Sequence, residues 1–239
     1  QQLIVRVHLP DCYYDEKDPH YKLLVIIHGT GCAVEDYVRH AKELADRDHV
    51  AVLAPLFPGG LIQRDDFNSY KLLSCDGVRY DQILLDMIDD MAKRYPGVET
   101  DKFFLFGHSG GGQFANRFLF AHPEKLRACA IGAPGRPTFL NPDEDYFWGT
   151  RDFKNYFGHD VDLAAVQKVP VLVIVGENDT KFIGDSPYGD NRVARMKSLQ
   201  KNLQDHGVHT ELTILPGFAH EGGEKERVQA AQHFFEAYL

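Results

Sequence analysis

KFFLFGHSGGG, residues 102–112, is the stretch on which the fold turns. Lys102–Phe106 is a short, nearly continuous apolar run, as expected of a strand covered on both faces. Gly107-His108-Ser109-Gly110-Gly111 follows at once and fits the pattern G-x-S-x-G. Helix-period sequence then continues until Pro123 stops it. Two glycines and a serine at these offsets should arise by chance only about 0.04 times in a chain of this composition, so the match is informative. The strand–turn–helix context narrows it further. Such a turn is sharp enough to strain the serine backbone, and the flanking glycines let strand and helix approach closely. The hydroxyl of Ser109 is thereby aimed into a cleft at the C-terminal edge of a sheet.

Working outward, the same alternation recurs on both sides. Strands are expected at Lys22–His28, Val50–Ala54, Leu126–Ile131 and Val169–Val175. Helical spacing is carried by Val34, Tyr37, Val38, Ala41, Leu44 and Ala45. It returns in Leu84, Met87, Ile88 and Met91, and again over Asn191–Asp205 with Val193, Met196, Leu199 and Leu203. Thr210, Leu212 and Ile214 alternate with polar residues, which suits a strand near a sheet edge. The last helix places Val228, Ala231, Phe235 and Tyr238 together. Ile4–Leu9 also alternates and reads as an antiparallel addition. The β-α-β-α order predicts an α/β fold: a doubly wound, mostly parallel sheet with helices on both faces.

At 239 residues the chain is expected to form one domain with its own core. Two stretches break the alternation, Phe57–Gly77 and 133–168. The second holds Phe139, Tyr146, Phe147, Trp148, Phe153, Tyr156 and Phe157, too aromatic for a solvated linker. It is read as a short cap insertion over one end of the sheet. Tyr146, Phe147 and Trp148 are then candidates for an apolar substrate pocket.

Composition closes several alternatives. With 35 acidic against 26 basic residues the formal charge is −9, which argues against nucleic acid and anionic membranes as partners. No apolar run approaches the roughly 20 residues of a membrane span. Four cysteines (Cys12, Cys32, Cys75, Cys129) form neither a C-x-x-C pair nor a zinc pattern. A Cys32–Cys75 disulfide is left open. His206 and His209 carry no metal signature, and His220-Glu221 lacks the second histidine of H-E-x-x-H. The glycine run lacks the G-K-[ST] ending of a phosphate loop. No metal and no cofactor are expected. A cytoplasmic location is expected, with secretion kept open because the sequence begins at Gln1. Oligomeric state is not legible.

The strand, the G-x-S-x-G turn and the element order together resemble the α/β-hydrolase superfamily, over nearly the whole chain. The chain looks similar to its esterase and dienelactone-hydrolase branches. The resemblance implies an enzyme whose nucleophile, acid and histidine follow in that chain order. Gly176-Glu177-Asn178-Asp179, after the strand ending at Val175, matches the acid turn, and Gly217-Phe218-Ala219-His220 matches the histidine turn. It therefore implies Ser109 as nucleophile, Asp179 as acid and His220 as base, with Glu177 and Glu221 as rival acids. For the oxyanion hole it implies the N–H groups of Gly110 and Thr30 (in His28-Gly29-Thr30-Gly31), with Gly31 as the alternative to Thr30. His28 is assigned to the structure of that turn, and His108 to packing beside the serine.

The expected reaction is hydrolysis of a small carboxylic ester or lactone through an acyl-enzyme, rising with pH as His220 loses its proton. Amide, thioester or C–C bond cleavage by the same groups, and a binding protein with negligible turnover, stand as alternatives. The net charge favours an uncharged or cationic substrate. Arg64, Asp65, Asp66, Asn68 and Tyr70, in the first long loop, either touch a polar substrate group or solvate the loop.

Overall fold

The computed structural model describes residues 4–60, 62 and 64–239. Strand β1 (Ile4–His8) is followed by β2 (Tyr21–Ile27), helix α1 (Val34–Asp48) and β3 (Val50–Leu56). A 3-10 turn at Ser69–Leu72 leads into a small hairpin of β4 (Ser74–Cys75) and β5 (Val78–Arg79), then α2 (Tyr80–Arg94). The centre of the chain is β6 (Val98–His108), α3 (Gly110–Ala121) and β7 (Leu126–Gly132). Two short helices, α4 (Phe153–Phe157) and α5 (Leu163–Val166), precede β8 (Val171–Gly176), α6 (Arg192–Asp205), β9 (Thr210–Leu215) and α7 (Glu224–Glu236).

Among the described residues seven strands form one sheet in the order β1-β3-β2-β6-β7-β8-β9. β1 pairs antiparallel with β3, and every other pairing is parallel. The expected doubly wound, mostly parallel α/β sheet is what forms. Successive strand residues point to opposite faces, so each buried strand feeds two cores. Leu24, Ile26, Phe104 and Phe106 pack with Tyr37 and Ala41 of α1 and Val228, Ala231 and Phe235 of α7. Leu23, Val25, Ile27, Phe103 and Leu105 pack on the other face with Leu84 and Ile88 of α2, Phe114 and Phe118 of α3, and Leu199 and Leu203 of α6. Each fully buried large apolar side chain contributes about 1.5–3 kcal/mol, and the sheet is covered by many. β9 lies at the sheet edge, as its alternation predicts.

Some boundaries differ from expectation for local reasons. β8 begins at Val171 rather than Val169. Pro170 has no N–H to give a neighbour, although its carbonyl still accepts from Cys129 N–H at 2.9 Å. Asn191 stands before α6 as its cap, its side chain accepting from Ala194 N–H at 2.9 Å. The stretch Phe57–Gly77, apart from residues 61 and 63 outside the described residues, holds the 3-10 turn and half of the hairpin. Both are too short to print a period.

In 133–168, Phe139, Phe153 and Phe157 are buried in the core beside α3. Two α3 side chains hold the segment there. Asn116 pairs with the backbone of Thr138 through both its amide atoms, at 2.6 and 3.2 Å, and Arg117 Nε donates to Thr138 Oγ1 at 3.0 Å. All four cysteines are free thiols, so Cys32 and Cys75 form no disulfide. No helix among the described residues is long and apolar enough to cross a membrane.

Candidate active site

The turn between β6 and α3 is tight because its glycines admit backbone where a side chain would stand. A Cβ on Gly107 would strike the carbonyl of Gly111, and one on Gly111 would strike the carbonyl of Ile27. Between them Ser109 takes φ 55° and ψ −113°, a conformation costing a non-glycine residue about 1–3 kcal/mol. The surroundings hold it there. Its N–H donates to Gly132 O at 2.8 Å and its carbonyl accepts from Gln113 N–H at 3.1 Å.

The loop after β9 returns to this turn and brings His220 with it. Ser109 Oγ lies 2.9 Å from His220 Nε2, and His220 Nδ1 lies 2.8 Å from Asp179 Oδ2. Both bonds form when Nδ1 carries the proton and donates to the carboxylate, leaving Nε2 to accept from the serine hydroxyl. Asp179, after β8, is 1% exposed, and its other oxygen meets Arg192 Nη1 at 3.4 Å. The structure thus brings together Ser109, Asp179 and His220 and does not bring in the rival acids. Glu177 instead accepts the Gly217 N–H at 3.0 Å, and Glu221 is exposed.

Two buried residues seat the histidine. Arg227, 1% exposed on α7, donates from Nη2 to Ala219 O at 2.6 Å and His220 O at 3.2 Å, and from Nη1 to Gly222 O. His108 Nε2 donates to His220 O at 3.3 Å. Burial, then the charges of Arg227 and His220, push the His108 imidazole well below its ordinary value, so it serves as a neutral donor.

Thr30 and Gly110 both lie against the Lys71 side chain. The Cβ position of Gly29 lies 3.6 Å from Ser109 Cβ, which sets the Gly29-Thr30 turn against the serine. Among the described residues neither the Thr30 N–H nor the Gly110 N–H has an acceptor. Gly31 is exposed beside them. His28 anchors the turn: Nδ1–H donates to Gly29 O at 2.6 Å while Nε2 accepts the Phe57 N–H at 3.0 Å. Tyr70 donates to His28 O at 3.1 Å, and Lys71 Nζ donates to Thr30 Oγ1 at 2.8 Å and Asn68 Oδ1 at 2.6 Å.

Between Lys71, which packs on Gly110, and Arg192, which meets Asp179, opens a cleft of about 420 Å³, lined also by Gln113, Arg136, Phe147 and Arg195. Asn68 also reaches it; Tyr70 does not line it and is buried. Of the aromatic candidates, Phe147 reaches the cleft. Tyr146 is packed among Phe153, Tyr156 and Phe157 and bonds Leu72 O. Trp148 stacks on Tyr188 under the guanidinium of Arg195. Four of the residues lining the cleft are cations, in a chain of net negative charge. A sum over the chain does not say where charges stand.

Sequence reasoning missed Arg227, Arg192, Lys71 and Arg136. For Arg227 a signal existed, since it falls four residues before Ala231 on the apolar face of α7. The others carry no local sign.

The family model for the dienelactone hydrolase family matches residues 11–237. The chain belongs to the dienelactone hydrolase family. No curated protein matches it in sequence. Among solved structures, this dienelactone hydrolase family member is similar to poly(aspartic acid) hydrolase-1 from Sphingomonas sp. KT-1. That match has a TM-score of 0.78 at 21% identity and covers 98% of this chain and 93% of that one. LpqC, a poly(3-hydroxybutyrate) depolymerase from Bordetella parapertussis, superposes with a TM-score of 0.74 at 19% identity, covering 99% and 85%. Est1E from Butyrivibrio proteoclasticus, solved with ferulic acid bound, gives 0.61 at 19% identity, covering 99% and 95%. At these identities the likeness is one of fold. The family places the protein among hydrolases of the α/β-hydrolase fold.

Proposed function

We propose that this protein hydrolyses a carboxylic ester or lactone of a small molecule through an acyl-enzyme on Ser109. The observation that carries the reading is the unbroken line Ser109 Oγ–His220 Nε2–Asp179, at 2.9 and 2.8 Å, starting from a serine held at positive φ. A serine hydroxyl is a weak nucleophile until an imidazole takes its proton. Here His220 Nε2 takes it as Ser109 Oγ bonds to the carbonyl carbon. Asp179 keeps the proton on Nδ1 and stabilises the imidazolium, and Arg227 and His108 hold the ring in place through its own carbonyl. The carbonyl oxygen becomes an oxyanion and receives the N–H groups of Thr30 and Gly110, each donor worth about 10²–10³ in rate.

Collapse of that intermediate breaks the bond to the leaving alcohol, which takes the proton from His220. Water then attacks the acyl-enzyme by the same steps, returning the acid and the free serine. A lactone gives both products as one molecule. The test is fluorophosphonate labelling of native protein with the modified peptide located by mass spectrometry, followed by an ester and lactone panel. One adduct on Ser109, absent from Ser109→Ala, together with multiple turnovers on an ester supports the reading. An unlabelled serine on folded protein, or a stoichiometric complex without turnover, sinks it.

A further inference from the structure

Three side chains of the metal-ligating types meet at the end of the sheet away from Ser109. Cys12, Glu16 and His49 each offer one ligand atom, and the three atoms lie within 4.8 Å of one another. Cys12 belongs to a 3-10 turn (Asp11–Tyr14) between β1 and β2, Glu16 to the loop that follows, and His49 stands between α1 and β3. No linear spacing joins them, so no zinc pattern prints in the sequence. Tyr21 opens β2 beside them, while Ile27 at its other end pairs with Gly107 of the serine turn. A strand of that length sets the two places about 20 Å apart. The framework under the cluster is fixed. Tyr13 is buried with its ring 5.3 Å from that of Tyr21, and so pins the turn that carries Cys12. His49, at φ 54° and ψ 51°, donates its N–H to Ala45 O and accepts the Lys22 N–H at 3.2 Å. Its imidazole stacks on the Tyr21 ring at 5.3 Å with 12° between the planes.

Hydrogen bonding within the cluster leaves a gap. The Tyr21 hydroxyl donates to Glu16 Oε1 at 2.9 Å and accepts from the Cys12 thiol at 3.0 Å. His49 Nδ1 stands 3.8 Å from Glu16 Oε1, too far for a hydrogen bond. Among the described residues no other basic side chain lies within 4.0 Å of that carboxylate. Tetrahedral zinc, with bonds of about 2.0–2.3 Å, sets its ligand atoms roughly 3.4–3.6 Å apart. Closing the three groups on an ion therefore takes movements of about 1 Å. Cys12 and Glu16 are half-buried and His49 is exposed, so the side chains have room to make them. We propose that Cys12, Glu16 and His49 form a zinc site that ties the segment between β1 and β2 to the junction of α1 and β3. The donor set selects the ion: thiolate, imidazole and carboxylate together suit zinc, whereas a hard ion such as magnesium takes oxygen ligands. Zinc bonds Cys12 Sγ as the thiol proton leaves to solvent, and the two anionic ligands balance its charge. Water completes the four-coordinate shell, and the Tyr21 hydroxyl stays beside the ligands to orient the carboxylate. The site stands apart from the hydrolase reading and adds stability rather than chemistry.

The experiment uses the full chain, stripped of metal with a chelator and kept reduced, and titrates it with cobalt(II) as a spectroscopic surrogate for zinc. The expected result is a thiolate-to-cobalt charge-transfer band in the near ultraviolet with the intense visible bands of a four-coordinate ion. Both should saturate at one ion per chain and be bleached by zinc. Cys12→Ser should remove the charge-transfer band. Zinc held about a hundredfold above its Kd should raise the Tm by roughly 5 °C or more, because the ion binds only the folded chain. His49→Gly is the decisive variant: glycine suits the left-handed backbone there, so the metal-free protein should still fold, yet the zinc-dependent rise should be lost. Zinc should also slow alkylation of Cys12 by iodoacetamide in the wild type and not in His49→Gly. No charge-transfer band, a band that survives Cys12→Ser, or a zinc response undiminished in His49→Gly overturns the proposal. So does the weak visible absorption of six-coordinate cobalt, which marks uptake by scattered surface groups.

Discussion

Asp179 and Glu177 lie two residues apart in one turn, and only one of them reaches His220. The difference is direction: Asp179 points inward to His220 Nδ1, while Glu177 turns out to the Gly217 N–H. Asp179→Asn should lower kcat by about 10⁴-fold, because an amide in that place favours the wrong imidazole tautomer. Glu177→Gln should leave kcat within about twofold, since a neutral acceptor for Gly217 N–H remains. Steady-state kinetics on one ester checks both, and comparable losses would reassign the acid. Arg227 acts through position and touches no substrate. Arg227→Gln should cost about 10–100-fold in kcat with little change in KM, as small misplacements of a catalytic group do. The rate of fluorophosphonate labelling should fall in parallel.

At the level of elements, the site depends on how closely β6, α3 and β2 approach. Ser109 sits where a strand end and a helix start share space that only glycine leaves free. Gly111→Ala should destabilise by about 1–3 kcal/mol or more, because its Cβ meets the Ile27 carbonyl, which the sheet holds in place. Gly31→Ala, with open space around its Cβ, should shift stability by less than about 0.5 kcal/mol. Urea denaturation midpoints separate the two. Equal effects would mean that the turn relaxes and that the strain on Ser109 is not set by its neighbours. α3 has a second task, since Asn116 and Arg117 project from it to hold 133–168 beside the cleft.

Across the whole molecule, buried imidazoles set the acid limit of the fold. Burial lowers both His28 and His108 from an ordinary value of 6.5, and the charge of Arg227 lowers His108 further. Each binds its proton less readily folded than unfolded, so the unfolded chain takes up more protons as pH falls. The stability they support is fully present above about 6.5 and declines as pH drops below it toward the depressed folded values. Thermal unfolding midpoints should therefore fall between pH 7.5 and 5.5. His108→Asn, which cannot titrate, should show a shallower slope over that window. An unchanged slope would mean that His108 takes up its proton equally in the folded and unfolded chain. Asp81 sets a lower limit. Burial alone would raise its carboxyl, but hydrogen bonds from Arg79 and His122 outweigh that and hold it well below the carboxylate range. Its contribution is present above about pH 3.9 and lost as pH falls further.

The α/β order and the Ser109 turn were legible in the sequence because they rest on local causes. Buried strands print apolar runs, helices print their period, and a turn that excludes Cβ atoms prints glycines. Asp179 and His220 were legible through the resemblance, which fixes where in the chain an acid and a histidine turn follow. The tertiary structure decided which groups meet. Arg136 comes from the loop after β7, Arg192 and Arg195 from the start of α6 and Lys71 from a 3-10 turn, and no spacing along the chain announces that four such residues share a cleft. Tyr146, Phe147 and Trp148 are adjacent in sequence yet face three different surroundings, for the same reason. Hydrophobic period constrains neighbours three or four residues apart. The sign of a cleft's potential depends on side chains brought together from segments tens of residues apart, and only the packed sheet and its loops set that.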